Sequence, residues 1–280
     1  MKMNRKIGIG SFVFLVLVLL GRFPVSLEAI SQITPQAYLE TIPYIELGRY
    51  LIITPSSTVL VYLLGIITIL FGVLLFKKKD DKVKMLWGVT LIIWGIGTML
   101  AGTSYQGLGF ELKCRGYQFC LFTSWFELSY LFITAISITV MGYAVAEKAL
   151  KDRSKEIYLN VIGVGLIVYS LSLVVGTITE IRFLITYEYF LMFFMPYFVS
   201  FLIMNIKGYK HERNEFDKGL IIVWLLMLIV NVLYFAYFFS GIPEGLYENY
   251  GVWFSANDVL HIGLIGWMGY IYWVVNKRVY

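Results

Sequence analysis

The sequence predicts an all-α integral membrane protein, with an N-terminal signal or anchor helix followed by a bundle of seven transmembrane helices. Three observations predict it. Eight long apolar stretches fill the 280 residues, hydrophobic residues make up 59% against 15% charged, and the 23 Lys and Arg fall at or beyond the ends of the stretches. A hydrocarbon core about 30 Å thick needs roughly 20 apolar residues per helix. The stretches lie near 7–22, 50–76, 85–102, 120–146, 157–175, 183–206, 219–240 and 257–276. Barrel strands would be about 10 residues long and would alternate in polarity, which these do not.

The formal charge of +5 is a matter of topology rather than of nucleic-acid binding. Basic residues cluster before stretch one (Lys2, Arg5, Lys6), after stretch two (Lys77, Lys78, Lys79, Lys82, Lys84) and after stretch four (Lys148, Lys151, Arg153, Lys155). They return after stretch six (Lys207, Lys210, Arg213, Lys218) and at the end (Lys277, Arg278). The other connectors hold only Arg22, Arg49, Lys113, Arg115 and Arg182, so 18 basic residues face one side and 5 the other. Positive residues stay cytoplasmic during insertion, which predicts a multi-pass cell-membrane protein with a cytoplasmic C-terminus. The bilayer is then the principal partner, with anionic lipid attracted to the basic loops.

The elements follow in order. Residues 1–29 read as a signal peptide or a first transmembrane helix, because a basic start precedes the short apolar run Ile7–Leu20. Residues 30–49 form an external segment that either tethers the first helix or caps the bundle through Tyr38, Ile42, Tyr44 and Ile45. Residues 50–280 form the seven-helix domain, whose short inner loops place sequential helices side by side. Gly95, Gly97 and Gly102, and Gly263, Gly266 and Gly269, mark close helix approach. Stretch six carries an aromatic run from Tyr187 to Phe198 that either lines a lipid-sized cavity or faces lipid. No internal repeat is visible, which weighs against an inverted-repeat transporter. Cys114 and Cys120, in an outer connector, either close a small disulfide loop or stay as two thiols.

Ionisable groups inside a membrane are costly and mark function. Glu127, Glu188, Asp258 and His261 all fall in the outer half of their stretches, Glu127 about 10 Å down at 1.5 Å per residue. Asn257 stands beside Asp258, and Ser104 and Gln106 arrive at the same level from stretch three. This set could hold a divalent cation or a ligand, or supply a general acid and base. The same residues could equally cap helices and tie them together. With two histidines in the chain a three-His zinc centre is ruled out, so any metal would rest on carboxylate and amide oxygens. No Gly-rich phosphate loop, nucleophile elbow or Cys-pair metal motif occurs.

Seven helices in this order, with Phe126-Glu127-Leu128-Ser129, Asn257-Asp258-Val259-Leu260-His261 and Thr103-Ser104-Tyr105-Gln106, resemble the alkaline ceramidase-like (CREST) superfamily of seven-span membrane hydrolases. In that family the corresponding positions hold an Asp-Glu pair, a His-x-x-x-His and a Ser with a His. Here Phe126 replaces the Asp, Asn257 replaces the first His, and no His accompanies Ser104. The resemblance implies an outward-opening site and metal-dependent hydrolysis of a lipid amide or ester, with an incomplete ligand set. The expectation is therefore an outward-facing polar pocket that binds a lipid-like or small ligand without established catalysis. The alternatives are a metal-dependent hydrolase and a proton- or ion-coupled transporter.

Overall fold

The computed structural model describes residues 2–22, 33–78 and 80–277, with side chains from residue 8 onward. The region around Ala29, where a leader would be cleaved, lies outside the described residues, as do Lys79 and Arg278. Helix α1 (Lys2–Arg22) is followed by a short α2 (Pro35–Glu40) and a two-stranded antiparallel hairpin, β1 (Tyr44–Leu47) and β2 (Tyr50–Ile53). Seven helices then prove long and apolar enough to cross a membrane. They are α3 (Pro55–Phe76), α4 (Lys82–Ala101) with its continuation to Gly107, α6 (Trp125–Ala149), α7 (Asp152–Thr179), α8 (Tyr187–Glu212), α9 (Glu215–Phe238) and α11 (Ala256–Lys277). The short α5 (Gly109–Lys113) and α10 (Ile242–Tyr250) lie between them.

Stretch two starts later than its hydropathy implies. Residues 50–53 are strand β2, and the helix begins at Pro55, whose missing N–H suits the first turn. The apolar residues of β2 cover a small satellite core instead. Ile53, Phe110, Cys114 and Cys120 are buried together, with Tyr38, Leu39, Ile42 and Leu51 packed against them. Cys114 and Cys120 are joined as a disulfide. The segment 33–53 thus caps one end of the bundle, here named the cystine end. The opposite end carries Lys82, Lys148 and Lys155, paired to Glu147, Glu212 and Asp217.

Six helices close a ring, each packing on the next in the order α3, α4, α6, α8, α9, α11 and back to α3. Helix α7 packs outside this ring on α6, and α1 packs on α6 and α7. Helix α1 is held by Trp125 Nε1, which donates to the Leu17 carbonyl at 2.9 Å, and by burial of Val16 and Leu20.

The tightest seam joins α3 to α4. A Cβ on Gly72 would stand 2.8 Å from the Gly88 carbonyl oxygen, and one on Gly95 2.7 Å from that of Gly65. Each pair is spaced seven residues apart on its helix, so two turns of backbone meet without side chains between them. On α11, Gly266 faces open space, so small size serves no packing there.

Helices α8 and α9 are clamped at the basic end only. Asn205 Nδ2 donates to Asp217 at 3.0 Å, Trp224 Nε1 donates to Asn205 at 2.8 Å, and Phe201 packs on Trp224 with ring centroids 5.3 Å apart. Beyond Trp224, among the described residues, no side-chain hydrogen bond joins the two helices.

Candidate functional site

The ring encloses a cavity of about 640 Å³ at the cystine end. Its wall is built from helical stripes at spacings of three and four. Helix α6 gives Glu127, Tyr130, Thr134 and Ile138, α4 gives Trp94, Thr98 and Ala101, and α11 gives Asn257, Leu260, His261, Leu264 and Trp267. Gln106, Glu127, Glu188 and Asn257 line it near the helix ends, Thr98, Thr134 and Asn231 stand further in, and Trp94, Ile138, Phe198 and Trp267 line the part deeper in the bundle. On the far side the cavity meets the outer surface. Met195 of α8 and Leu228, Val232 and Phe235 of α9 both line it and are exposed. This window lies where α8 and α9 are no longer clamped.

The aromatic run of α8 divides between two faces. Tyr187, Phe190 and Phe198 line the cavity. Tyr189, Phe193 and Phe194 gather instead around Tyr169 of α7, with ring centroids 5.0 to 5.9 Å from it. The expectation of a cavity lining holds for the first three, whereas the second three pack against α7, with Phe194 fully buried, rather than face lipid.

Helix α4 ends in a π-helical turn, Gly102–Gly107. The widened turn brings two selected residues to the site in different roles. Gln106 faces the cavity, while Ser104 is fully buried and donates to Glu127 at 2.9 Å. Single π turns inside α-helices are frequent at functional sites.

Glu127 is only 2% exposed and is fully engaged. Lys113 Nζ lies 2.7 Å from one carboxylate oxygen, which also accepts from Ser104, and Thr123 donates to the other at 2.9 Å. The Ser124 hydroxyl caps the helix by accepting from the Glu127 amide. Burial draws the Lys113 ammonium downward. The charges of Glu127 and Tyr38, with the hydrogen bond to Glu127, outweigh this and hold it above the ordinary lysine value. Lys113 was counted in the sequence only as a connector charge. Its place one short helix before α6 was the available signal, and the turn that folds α5 back over the bundle end was not legible.

Asp258 departs from the expected shared pocket. Its carboxylate is fully buried and accepts from Ser57 at 2.9 Å and from the Ser255 hydroxyl at 3.0 Å, with the Ser255 amide at 2.5 Å and Ser56 at 3.4 Å. Helical geometry explains this. Residues four apart share a face, so Asn257 and His261 reach the cavity together, whereas Asp258 is turned about 100° away toward the start of α3. It caps α11 and ties it to α3.

Glu188 lines the cavity at its mouth, is exposed, and makes no side-chain hydrogen bond or ion pair with any described residue. Of the sequence-selected set, Gln106, Glu127, Glu188, Asn257 and His261 therefore share one cavity, while Ser104 and Asp258 stand behind its wall.

Among the described residues no three of His, Cys, Asp and Glu come together to hold a metal ion. Asp258 is engaged by hydroxyls and Glu127 by Lys113, so neither carboxylate stands free toward the cavity. What the cavity offers instead is hydrogen bonding. Gln106 Oε1, Thr134 Oγ1 and His261 Nδ1 are buried side-chain atoms without a partner among the described residues, and all three residues line the cavity. Gln106 is 5% exposed, Thr134 2% and His261 7%. A buried polar atom left unpaired costs about 1–3 kcal/mol. Comparison of the chain with protein-family models, with curated proteins and with solved structures found no match.

Proposed function

We propose that the cavity binds a single lipid-like amphiphile that enters sideways between α8 and α9. The observation that carries this reading is one cavity lined by Gln106, Glu188, Asn257 and His261 toward one end and by Trp94, Ile138, Phe198 and Trp267 deeper in the bundle. A ligand head bearing a hydroxyl or amide suits such a lining, since the side-chain amides of Gln106 and Asn257 and the His261 imidazole both donate and accept hydrogen bonds. Its alkyl chain lies against Trp94, Ile138 and Trp267 and leaves through the apolar window. Sites of about 300–1,000 Å³ suit small ligands, and this volume falls within that range. With seven helices of membrane-crossing length and the charge distribution described, the polar end faces outward and the window faces lipid.

The reading is one of binding rather than hydrolysis or ion coupling. Glu127 is held by Lys113, Ser104 and Thr123 rather than left free as a base.

Native mass spectrometry of the full chain, extracted in mild detergent, tests it. The expected result is one amphiphile retained per chain. Combining Gln106→Leu with His261→Leu lowers that occupancy at least several-fold, with the melting temperature unchanged or raised. A chain that retains no amphiphile, or a variant that retains it fully, overturns the reading.

A further inference from the structure

On the reading that the cavity takes an amphiphile, we infer that the head of that amphiphile is cationic, an alkylammonium, held by Glu188 within a cage of tyrosines. The charge count comes first. The charged residues lining the cavity are Glu127 and Glu188. Lys113 neutralises Glu127 at 2.7 Å, which leaves one uncompensated negative charge on the wall. Glu188 has no cation of its own among the described residues. It stands in the first turn of α8, where a helix favours an anion, so the fold tolerates the charge without consuming it.

The surroundings of Glu188 are aromatic. Tyr105, Tyr130, Tyr187 and Tyr234 all line the same cavity, contributed by four different helical segments. Glu188 lies within electrostatic reach of Tyr105, Tyr187 and Tyr234, and Tyr130 of Tyr187 and Tyr234. Tyr105 and Tyr130 meet edge to face with ring centroids 6.3 Å apart. The region already binds one cation by this means, since the Lys113 ammonium sits 5.5 Å from the centre of the Tyr105 ring. That leaves Tyr130, Tyr187 and Tyr234 to surround a second. Aromatic faces attract ammonium groups within about 6 Å, most strongly when the cation has shed its water. A quaternary ammonium sheds water readily and cannot donate a hydrogen bond, so rings and a carboxylate suit it. The side chains of Gln106, Asn257 and His261 then serve the uncharged polar part of the same molecule.

The test uses two probes on the full chain in nanodiscs, a single-chain trimethylammonium amphiphile and its neutral isostere with carbon in place of nitrogen. Wild-type protein is expected to bind the ammonium probe at least ten-fold more tightly. Glu188→Gln, at an exposed position, reduces that preference several-fold. Tyr234→Leu reduces it as well, and Tyr234→Phe restores it because the ring remains. His261→Leu weakens both probes alike. Equal binding of the two probes by wild type, or an unchanged preference in Glu188→Gln, overturns the cationic head while leaving the amphiphile reading intact. If neither probe binds, the amphiphile reading itself fails and this inference falls with it.

Discussion

Glu127 and Lys113 show how one residue can be visible in a sequence while its partner is not. A carboxylate within an apolar stretch announces itself, because burial without a partner costs several kcal/mol. The lysine that answers it lay in a connector, and only the fold of α5 brings it 2.7 Å away. Removing one member of a buried pair strands the other, at a cost of about 3–5 kcal/mol. Lys113→Met is therefore expected to lower the melting temperature sharply. The double variant with Glu127→Gln recovers most of the loss, and a double variant no better than the single one contradicts the pairing.

Glu111 gives a pH-dependent case. Burial pushes its carboxyl up, but the hydrogen bonds from Arg115 and the Leu51 amide, with the Arg115 charge, hold it below the ordinary carboxylate value. The folded value lies below the unfolded one, so this tie stabilises above about pH 4.5 and is lost as the pH falls further. Protection of the Leu51 amide, measured against its intrinsic exchange rate at each pH, is expected to be high at neutral pH and to fall under acid, and Glu111→Gln should remove that acid step.

Among whole elements, helix number and approximate position were legible because membrane thickness fixes the length of each apolar run. Hairpin β1–β2 was not, since Tyr50–Ile53 is apolar enough to merge with the helix that follows. Its apolar side chains cover the satellite core around the Cys114–Cys120 bridge instead. That disulfide closes a short loop, so opening it should cost roughly 2 kcal/mol on chain entropy. Reduction is expected to speed exchange in residues 50–53 and 109–113 before the long helices respond.

Glycine spacing was legible as a packing signal, but which glycines pack depends on which helices meet. Gly88→Ala drives a methyl against the Phe76 amide nitrogen, 2.6 Å from the ideal Cβ, and is expected to be clearly destabilising. Gly266→Ala meets nothing within 4 Å and should leave stability unchanged or raise it by up to about 1 kcal/mol. Comparing the two melting temperatures checks the assignment of the α3–α4 seam.

For the molecule as a whole, the sequence placed Ser104, Gln106, Glu127, Glu188, Asn257, Asp258 and His261 at one level, and the ring of six helices gathers all but Ser104 and Asp258 into one cavity. The sequence could not supply the window, because it arises from what α8 and α9 lack. They are joined at Asn205, Asp217 and Trp224 and, among the described residues, have no such clamp beyond. Nor was the role of Thr134 foreseen, since a hydroxyl in a membrane helix ordinarily returns its hydrogen bond to its own backbone, as Thr139 does to Ala135. Thr134 Oγ1 instead has no hydrogen-bond partner among the described residues and lies against Gly97 of α4, on a residue that lines the cavity.

That contrast gives the most direct measurement. Thr134→Val keeps the side-chain shape and removes the unpaired hydroxyl, so stability and binding can be read on one variant. If the cavity is built for a ligand, the ligand-free protein melts at the same or a higher temperature while binding of a single-chain amphiphile, followed by native mass spectrometry, weakens several-fold. A variant that melts clearly lower, or that binds the amphiphile as tightly as wild type, would contradict a cavity wall held polar for its ligand.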